Sequence, residues 1–410
     1  MVASTRGDTA VTAAWRYIAA RALDTFVIDW DVPLAPSGNP KRTLSGPGSL
    51  SGTIEPEYAR MLGPDGKPII QEWGTKLFLE VDGHLRWGGI VTKMGFDGPK
   101  LSLECEGLST YAHGIPFEDH VISGELITPP DPNAGKDKNH DGYIDGSKPK
   151  RQVPPPPPPY TGPRIDAFEG FRRIWAHVQS RPYGDVGVTV DTHNLGELLG
   201  AADGSDPWQL SWWDHPDCGV ALDSLAKTVP FDWVETHDWS PYGGNQIEHR
   251  IRLGTPRLGR RRYDLRFADG ENISAIAKPE GLGDEFANEV MVLGKGEGRA
   301  MARAQVYRYD GRLRRVATVA DKTLSSDSAL RIRGEQEIAG RTQALQIPAI
   351  QVIDHPNAQF GAWVLGDDIR IQVHVPWVGD VDVWHRIVGD EISADGTCVL
   401  NLKRSDSFHY

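Results

Sequence analysis

The chain has 410 residues and a mass of 45.1 kDa, which implies roughly two to four domains at the usual domain size. Apolar residues make up 39% of the chain and charged residues 24%, so it can fill hydrophobic cores and is not wholly disordered. Its 44 Lys and Arg against 56 Asp and Glu give a net charge of −12. This balance disfavours a protein that wraps nucleic acid or lies on an anionic membrane.

Composition also restricts the fold classes and the cellular locations to be expected. The 45 Gly and 30 Pro favour a turn-rich β protein over a helical bundle. No stretch approaches the roughly 18–20 apolar residues of a membrane span, and no secretion signal is present, so a soluble, unprocessed chain is expected. Cys105, Cys218 and Cys398 are odd in number and far apart, which predicts buried thiols rather than disulfides or a zinc site.

The first third of the chain is predicted to consist mainly of strands. Residues 15–32 fit either a β-hairpin or an Ala-rich helix, and the hairpin is favoured. Residues 75–81 alternate apolar and polar side chains, and Asp82-Gly83 supplies a tight turn into the next strand. Residues 101–105 alternate in the same way, which predicts a third, half-buried strand.

Residues 124–164 form an insertion with two compositional signals. The six consecutive prolines 154–159 favour a stiff polyproline II spacer, with an SH3 or WW ligand as the alternative. Upstream, oxygen ligands stand at positions 1, 3, 5, 7 and 9 of a calcium-type loop, with Gly142 at position 6. Position 12 is Lys148 instead of the Glu of an EF-hand, so coordination would be incomplete or completed elsewhere, and a solvated polar loop is the alternative. The candidate calcium ligands are Asp137, Asn139, Asp141, Tyr143 through its backbone carbonyl, and Asp145.

Residues 165–289 are predicted to be α+β. Asp166 is a good N-cap, and the apolar residues after it recur at helical spacing, which predicts a helix that ends near Ser180. A second, shorter helix is predicted over 217–228, followed by a run of strands over 231–267.

Residues 290–410 are predicted to return to strands. Residues 369–375 alternate strictly between apolar and polar side chains, which predicts a strand with one buried face. A helix is predicted over 327–341, although Gly334 interrupts its pattern.

A repeat relates the two β-rich ends of the chain. The pattern Trp-x-x-Ile-Val starts at Trp87 and again at Trp384, and an alternating strand begins fourteen residues after each Trp, at Leu101 and at Cys398. Two copies of one small barrel explain this better than chance. The predicted fold class is therefore mainly β and multidomain, with an α+β middle domain and two similar small β-barrel domains of tube type. The predicted domain bounds are 1–123, 124–164, 165–289 and 290–410.

For each remaining motif, a purely structural role is favoured over a functional one. The Gly-rich stretch 294–298 lacks the spacing of a phosphate-binding loop and predicts a turn. The Arg-rich segment 257–266 suits phosphates or an acidic partner, but an intersubunit or solvated face is favoured in an acidic chain. Four tryptophans would bind a glycan only as an exposed cluster, and core or interface positions are favoured. They are Trp212, Trp213, Trp233 and Trp239.

Eight short segments spread over nearly the whole chain carry a resemblance to a known family. They are EWGT at 72–75, RWGGI at 86–90, FRRIW at 171–175, PFDWVE at 230–235, RRRYDLRF at 260–267, GRLRR at 311–315, DHPNA at 354–358 and RSDSF at 404–408. With them the chain resembles the minor tail proteins of actinobacterial phages with long, non-contractile tails, in the baseplate hub or tail-tip hub family. The insertion 124–164 is not part of that family pattern.

The resemblance implies a non-enzymatic virion protein at the distal end of the tail. It implies a homotrimer that contacts the distal tail protein, the tape measure protein and other minor tail proteins, with phage DNA only passing through its channel. A trimer continues a hexameric tube only if each chain supplies two similar barrels, which agrees with the repeat. The alternative is a peripheral tail module that binds host cell-wall glycan or a receptor, and a wall-degrading enzyme ranks last. Calcium is the only cofactor expected.

Overall fold

The computed structural model is a mainly β protein with helices in its middle part. The structure describes residues 15–123, 125–126, 161–204, 206–254, 257–276, 286–296, 298–321, 324, 326–342, 346–376 and 379–405. The N-terminal elements are β1 (Trp15–Arg21), β2 (Val27–Asp29), β3 (Ala35–Pro36), β4 (Lys41–Thr43), β5 (Gly46–Ile54), α1 (Pro56–Ala59), β6 (Thr75–Val81), β7 (His84–Asp97) and β8 (Lys100–Glu106).

Two further groups of elements follow. The middle elements are a 3₁₀ turn (Leu108–Ala112), β9 (His120–Ile122), β10 (Glu125–Leu126), α2 (Ala167–Ser180), β11 (Val188–Val190), β12 (Gln209–Ser211), a 3₁₀ turn (Trp212–Asp214), α3 (Cys218–Thr228), β13 (Trp233–Trp239) and β14 (Ile247–Leu253). The last elements are β15 (Arg261–Ala268), β16 (Ile273–Ile276), β17 (Glu289–Leu293), a 3₁₀ turn (Gly298–Ala300), β18 (Arg303–Tyr307), β19 (Val316–Ala320), α4 (Asp327–Thr342), β20 (Ala349–Ile353), β21 (Asp368–Val375), β22 (Gly379–Ile392) and β23 (Thr397–Arg404).

Strands β1–β8, termed unit 1, confirm the predictions for the N-terminal third. β1 and β2 form an antiparallel hairpin in which Ala19 pairs with Asp29, so the hairpin interpretation of this segment is confirmed. β6 pairs with β1 on one side and with β7 on the other. Asp82 and Gly83 connect β6 to β7 with φ of 51° and 82°, which is the left-handed conformation that a two-residue hairpin turn requires.

Strands β15, β16 and β20–β23, termed unit 2, repeat part of the topology of unit 1. In both β6–β7–β8 and β21–β22–β23, a 14-residue central strand pairs antiparallel with its two neighbours. The register between the central and last strands shifts once in each set, between Val91 and Lys93 and between Ile387 and Gly389. The sequence repeat is therefore two copies of one three-strand meander, and the predicted mainly β class is confirmed.

One 14-stranded sheet contains both units. Its path of paired strands is β16-β20-β23-β22-β4-β5-β8-β7-β6-β1-β2; β21 also pairs with β22, β15 with β21, and β3 with β5. The short strand β4 is the link, because it pairs with β5 of unit 1 and with β22 of unit 2. Over the described ranges, this path is open at β16 and at β2.

Both predicted helices of the middle part are present, and each begins directly after its predicted capping residue. The carboxylate of Asp166 accepts a hydrogen bond from the Phe168 backbone N–H at 2.9 Å, and that of Asp217 accepts from Val220 at 2.9 Å. Each cap satisfies a backbone donor that the first turn leaves unpaired. The apolar faces of α2 and α3 share one core with Trp233 of β13. β13 and β14 are antiparallel, and β11 joins β14 in parallel, so the predicted α+β character is confirmed.

A small three-stranded sheet has its own core. β17 pairs antiparallel with β18 and parallel with β19, and α4 packs on them through Leu330 and Ile338. The predicted helix over 327–341 is therefore confirmed. Gly334 interrupts its apolar pattern because the helix lies close to β18: a Cβ there would be 2.7 Å from Cγ2 of Val306.

Strand pairing crosses the predicted domain bounds: β9 pairs with β10 and β12, and β4 pairs with β22. β15 and β16 precede position 290, yet they pair with β21 and β20 beyond it. The four predicted domain ranges stay predictions, and the sheet groups residues 261–276 with unit 2. In the part of the chain that the structure describes, no helix is both long enough and apolar enough to cross a membrane.

Candidate assembly site where the two β units meet

The two units join at β4, which contributes three residue pairs to β22. A Cβ at Gly389 would lie 2.9 Å from the backbone oxygen of Arg42, so the glycine permits the strands to approach closely at the register shift. β4 consists of only three residues, so its length gives no periodic signal in the sequence. The pairs are Thr43 with Gly389, Arg42 with Asp390, and Lys41 with Glu391.

Ion pairs reinforce this junction. Arg42 Nε donates to Asp390 Oδ1 at 2.8 Å and its Nη2 to Oδ2, a bidentate arrangement. Burial lowers the pKa of Arg42, but the charge and hydrogen bond of Asp390, which is 1% exposed, raise this pKa above its ordinary value. Lys41 Nζ lies 3.6 Å from Glu391 Oε1. These contacts fix one register of β4 on β22, because a one-residue slip would separate both charge pairs.

A second, deeper ion pair joins unit 2 to the middle part. Arg386 of β22 is fully buried, and its Nη2 donates to Asp232 Oδ2 at 2.5 Å and to the Leu258 carbonyl at 2.7 Å. Its Nε donates to the Gly366 carbonyl at 2.9 Å. Asp232 also accepts from Arg257 Nη1 at 3.0 Å. Removing one member of such a pair leaves a buried charge, which costs about 3–5 kcal/mol.

The Arg-rich segment 257–266 is partly buried and partly exposed. Arg262 is 9% exposed and donates to Asp367 Oδ2 at 2.9 Å and to Asp264 Oδ2 at 2.7 Å. Arg261 lies 4.8 Å from the ring centroid of Trp384. Arg257 and Arg262 are thus engaged within the chain, whereas Arg260, Arg261 and Arg266 are exposed, as expected for a solvated face.

A buried polar cluster joins unit 1 to the middle part. Lys76 of β6 donates to the Val186 and Asp24 carbonyls at 2.8 and 3.1 Å, and its Nζ lies 3.4 Å from His249 Nε2. The Nδ1 atoms of His237 and His249 are 3.2 Å apart. Burial lowers the pKa of Lys76 to about 8 and, with the Lys76 charge, that of His237 to about 3 and that of His249 well below its ordinary value. Both imidazoles are therefore neutral at pH 7.

A cavity of about 480 Å³ lies between the two units. Aromatic side chains line it from both sides, Trp15 from unit 1 and Phe360 and Trp363 from the loop before β21. Arg86 also faces this cavity, and burial together with the Arg42 charge lowers its pKa. The junction is thus a strand link with a polar and aromatic cleft beside it.

The predicted calcium loop lies outside the described residues. Its candidate ligands are Asp137, Asn139, Asp141, Tyr143 and Asp145, and the proline run 154–159 lies in the same undescribed range. Calcium binding therefore stays a prediction. Over the described ranges, no group of three or more His, Cys, Asp or Glu side chains is placed to hold a metal ion.

The other sequence predictions have clear positions in the structure. All three thiols are buried, and burial raises the pKa of Cys105 and Cys218 to about 12. The Gly-rich stretch is a turn between β17 and β18, closed by hydrogen bonds from Gly294 N to the Ala302 carbonyl at 2.7 Å and from Ala302 N to the Lys295 carbonyl at 2.8 Å.

The four tryptophans do not form one exposed cluster. Trp233 is 4% exposed in the middle core. Trp239 stacks on Trp30 with ring centroids 5.4 Å apart. Only Trp212 and Trp213 are well exposed. The four-residue glycan platform is therefore excluded, and a two-residue surface remains.

Sequence reasoning gave no role to Arg42, Asp232, Arg386 or Asp390, which hold the junctions. One usable signal exists for Arg386. Alignment of the two Trp-x-x-Ile-Val motifs places Arg386 opposite Gly89. One copy of the repeat therefore has a long, charged side chain at a position where the other copy has none. Such a contrast at one register position indicates different packing around the two copies.

Comparison with known proteins concerns the fold. No protein-family model matches the sequence, and no curated protein matches it. The structure is similar to the 43 kDa tail protein of prophage MuSo2 from Shewanella oneidensis, with a TM-score of 0.50 and 12% identity over 97% of this chain and 100% of that one. It is similar to the tail protein from Neisseria meningitidis MC58, with a TM-score of 0.50 and 12% identity over 95% and 97% of the two chains. Nearly the whole chain therefore has a fold found in phage and prophage tail proteins.

Proposed function

We propose that the chain is a structural, non-enzymatic subunit of the tail-tip hub of a phage with a long, non-contractile tail. Three copies would form a ring in which six similar β units continue the tail tube. The observation that carries this proposal is the pair of matching meanders, joined through β4 into one sheet. The likeness of the fold to prophage tail proteins supports it over nearly the whole length of the chain.

Symmetry supplies the physical reason for two units in one chain. A hexameric tube presents six equivalent surfaces, and a trimer matches them only if each chain offers two similar surfaces. In such a ring, three junctions lie within chains and three lie between chains. The β4 junction is the one within the chain, and its paired strands and ion pairs hold the two units together.

The proposed place and partners follow from this role. The ring would lie at the distal end of the tail, between the distal tail protein and other minor tail proteins, with the tape measure protein and DNA passing through its centre. The net charge of −12 would help DNA to pass without binding. Host specificity for actinobacteria is supported by the sequence resemblance alone.

The full-length chain tests this proposal through its mass and its symmetry. Light scattering should give a mass near three times 45.1 kDa, and particle averages should give a three-fold ring with six similar lobes around a hole. A chain that remains monomeric, alone and when mixed with tail-tube fractions, would contradict the hub.

We also propose that the loop from Asp137 to Asp145 binds calcium, on the basis of its ligand spacing. Calorimetric titration of the full chain with Ca²⁺ should give one weak site, since position 12 lacks its carboxylate. Asp141→Ala, which removes the ligand oxygen, should abolish the binding, and Asp131→Ala, outside the loop pattern, should retain it. Equal binding by the two variants would reject the loop as the site.

A further inference from the structure

Trp212 and Trp213 form an exposed aromatic corner on the middle part of the molecule. Their exposed fractions are 53% and 47%, although indole is the largest apolar side chain. Their ring centroids are 5.7 Å apart and their planes meet at 82°. The pair thus presents two apolar surfaces at nearly a right angle, and neither is needed to fill a core.

The backbone holds this corner in place. Trp212 N donates to the Asp119 carbonyl at 2.9 Å, and His215 closes the turn by donating to the Trp212 carbonyl at 3.1 Å with a φ of 48°. The Trp213 ring packs on His120 at 4.5 Å, and His120 Nδ1 is 3.0 Å from Ser211 Oγ. A surface that is ordered before binding loses little conformational entropy when a ligand arrives.

Polar groups lie close to this corner. Asp119, which joins the turn through its carbonyl, has a side chain that is 39% exposed and that contacts Arg181 Nη2 at 3.4 Å. Arg181 Nε also contacts Glu118 Oε2 at 2.8 Å. Carboxylate and guanidinium groups bind vicinal hydroxyls through paired hydrogen bonds. The surface therefore combines flat apolar rings with hydrogen-bond donors and acceptors, the two kinds of group that a sugar ring presents.

We propose that the Trp212–Trp213 corner binds a glycan of N-acetylated hexoses. A pyranose ring has an apolar C–H face that stacks on indole and an edge of hydroxyls for the polar groups. The second indole, nearly perpendicular to the first, is placed to contact the methyl of an acetamido group. This inference extends the proposed function, because a distal tail protein meets a cell wall built from such sugars, but the binding does not depend on the ring.

Titration of the full-length chain with tetra-N-acetylchitotetraose, followed by tryptophan fluorescence and calorimetry, tests the site. Saturable binding with a dissociation constant of about 1 mM or tighter is expected. The double variant Trp212→Ala/Trp213→Ala should weaken it by at least about tenfold. Tyr183→Ala and Tyr242→Ala, which remove other exposed aromatic rings of the middle part, are matched controls and should bind as the unaltered chain does.

Two results would overturn the proposal: no binding of the tetrasaccharide at about 10 mM, or a double variant that binds as tightly as the unaltered chain. Circular dichroism and thermal unfolding of the double variant guard against loss of fold, and Trp213→Phe should retain part of the binding. Light scattering on the same samples reports assembly separately. A ring that binds no sugar rejects only this inference, and a monomer that binds sugar rejects only the hub.

Discussion

The two copies of the meander use the same strand position in opposite ways. In unit 1 the Trp87 ring is buried and is followed by Gly88 and Gly89. A Cβ at Gly88 would be 2.6 Å from Phe78 and 2.7 Å from His237, and a Cβ at Gly89 would be 2.2 Å from the Glu106 carbonyl oxygen. At this position of unit 1, the absence of side chains permits the backbone of β7 to lie close to its neighbours.

Unit 2 has His385 and Arg386 at the matching positions, and both are buried. Arg386 reaches Asp232, immediately before β13, whereas Gly88 of unit 1 packs on His237 within β13. Adjacent positions of the repeat, Gly88 in unit 1 and Arg386 in unit 2, therefore contact the same region of the middle part. Similar strand topology does not require similar contacts, and the two copies differ in the side chains through which they contact the middle part.

The largest effect is expected from Arg386→Met. It leaves the buried Asp232 without its closest cation and should lower the free energy of unfolding by about 3–5 kcal/mol, measured by urea denaturation. Arg370→Met removes an exposed ion pair with Asp382 on the neighbouring strand and should cost about 0–1 kcal/mol. Similar losses from the two variants would show that burial of the Arg386 pair is unimportant.

Gly89→Ala tests the backbone contact of unit 1. The added Cβ would overlap the Glu106 carbonyl and should destabilise the protein by about 1–3 kcal/mol in thermal or urea unfolding. Gly38→Ala is the control, because nothing lies within 4 Å of a Cβ there. A neutral Gly89→Ala variant would mean that β7 and β8 separate without cost.

Acidification should weaken the contact between unit 1 and the middle part. The folded pKa of His237 is about 3 and its unfolded value is about 6.5, so the unfolded state binds more protons and stability falls as the pH is lowered from 6.5 towards 3. At pH 5 this histidine alone should cost about 2 kcal/mol, and His249, whose pKa is also lowered, acts in the same direction. Burial raises the pKa of Glu235, so the folded state takes up a proton there more readily than the unfolded state. At low pH this opposes the loss of stability caused by the histidines.

His237→Gln isolates that dependence when urea denaturation is measured at pH 7 and pH 5. Its loss of stability between the two pH values should be smaller than that of the unaltered chain. The exposed His374 pairs with Asp380, and His374→Gln should keep the full loss. An unchanged pH dependence in His237→Gln would show that this imidazole is not responsible.

The smallest effect is expected at Trp384, the second of the two matched tryptophans. Trp384 is half-buried and contacts Arg261 and Tyr263 through its ring, so Trp384→Leu should cost about 0.5–1 kcal/mol. The same change at Trp87 should cost more, because this ring is 2% exposed and its Nε1 donates to the Lys41 carbonyl at 3.1 Å. Equal costs in urea denaturation would contradict the proposed divergence of the copies.

The elements that were predicted from the sequence depend on local chemistry. Asp82-Gly83 and the caps Asp166 and Asp217 act on neighbouring backbone, so their effects are visible in a few residues of sequence. The repeat was visible because it preserves spacing. These signals were sufficient for the β class, the α2 and α3 helices and the meander.

The junctions were not predictable because their partners are distant and their residues look ordinary. Arg386 lies in a strand where a charged residue is normally read as solvent-facing, and Asp232 lies in a connection. Their contact spans 154 positions. Only the folded chain shows that the arginine points into protein and that Trp233 is buried while Trp212 is exposed.

The β4 link has a consequence for biosynthesis. Arg42 and its partner Asp390 are 348 positions apart, so at about 5–20 residues per second the ribosome needs roughly 20–70 s to deliver β22 after β4. During that time one edge of β4 lacks its final neighbour. Lys41 and Arg42 place two positive charges on this three-residue strand, a pattern that discourages pairing between nascent chains on a polysome. The residues that later link the two units thus also protect the chain while it is still being made.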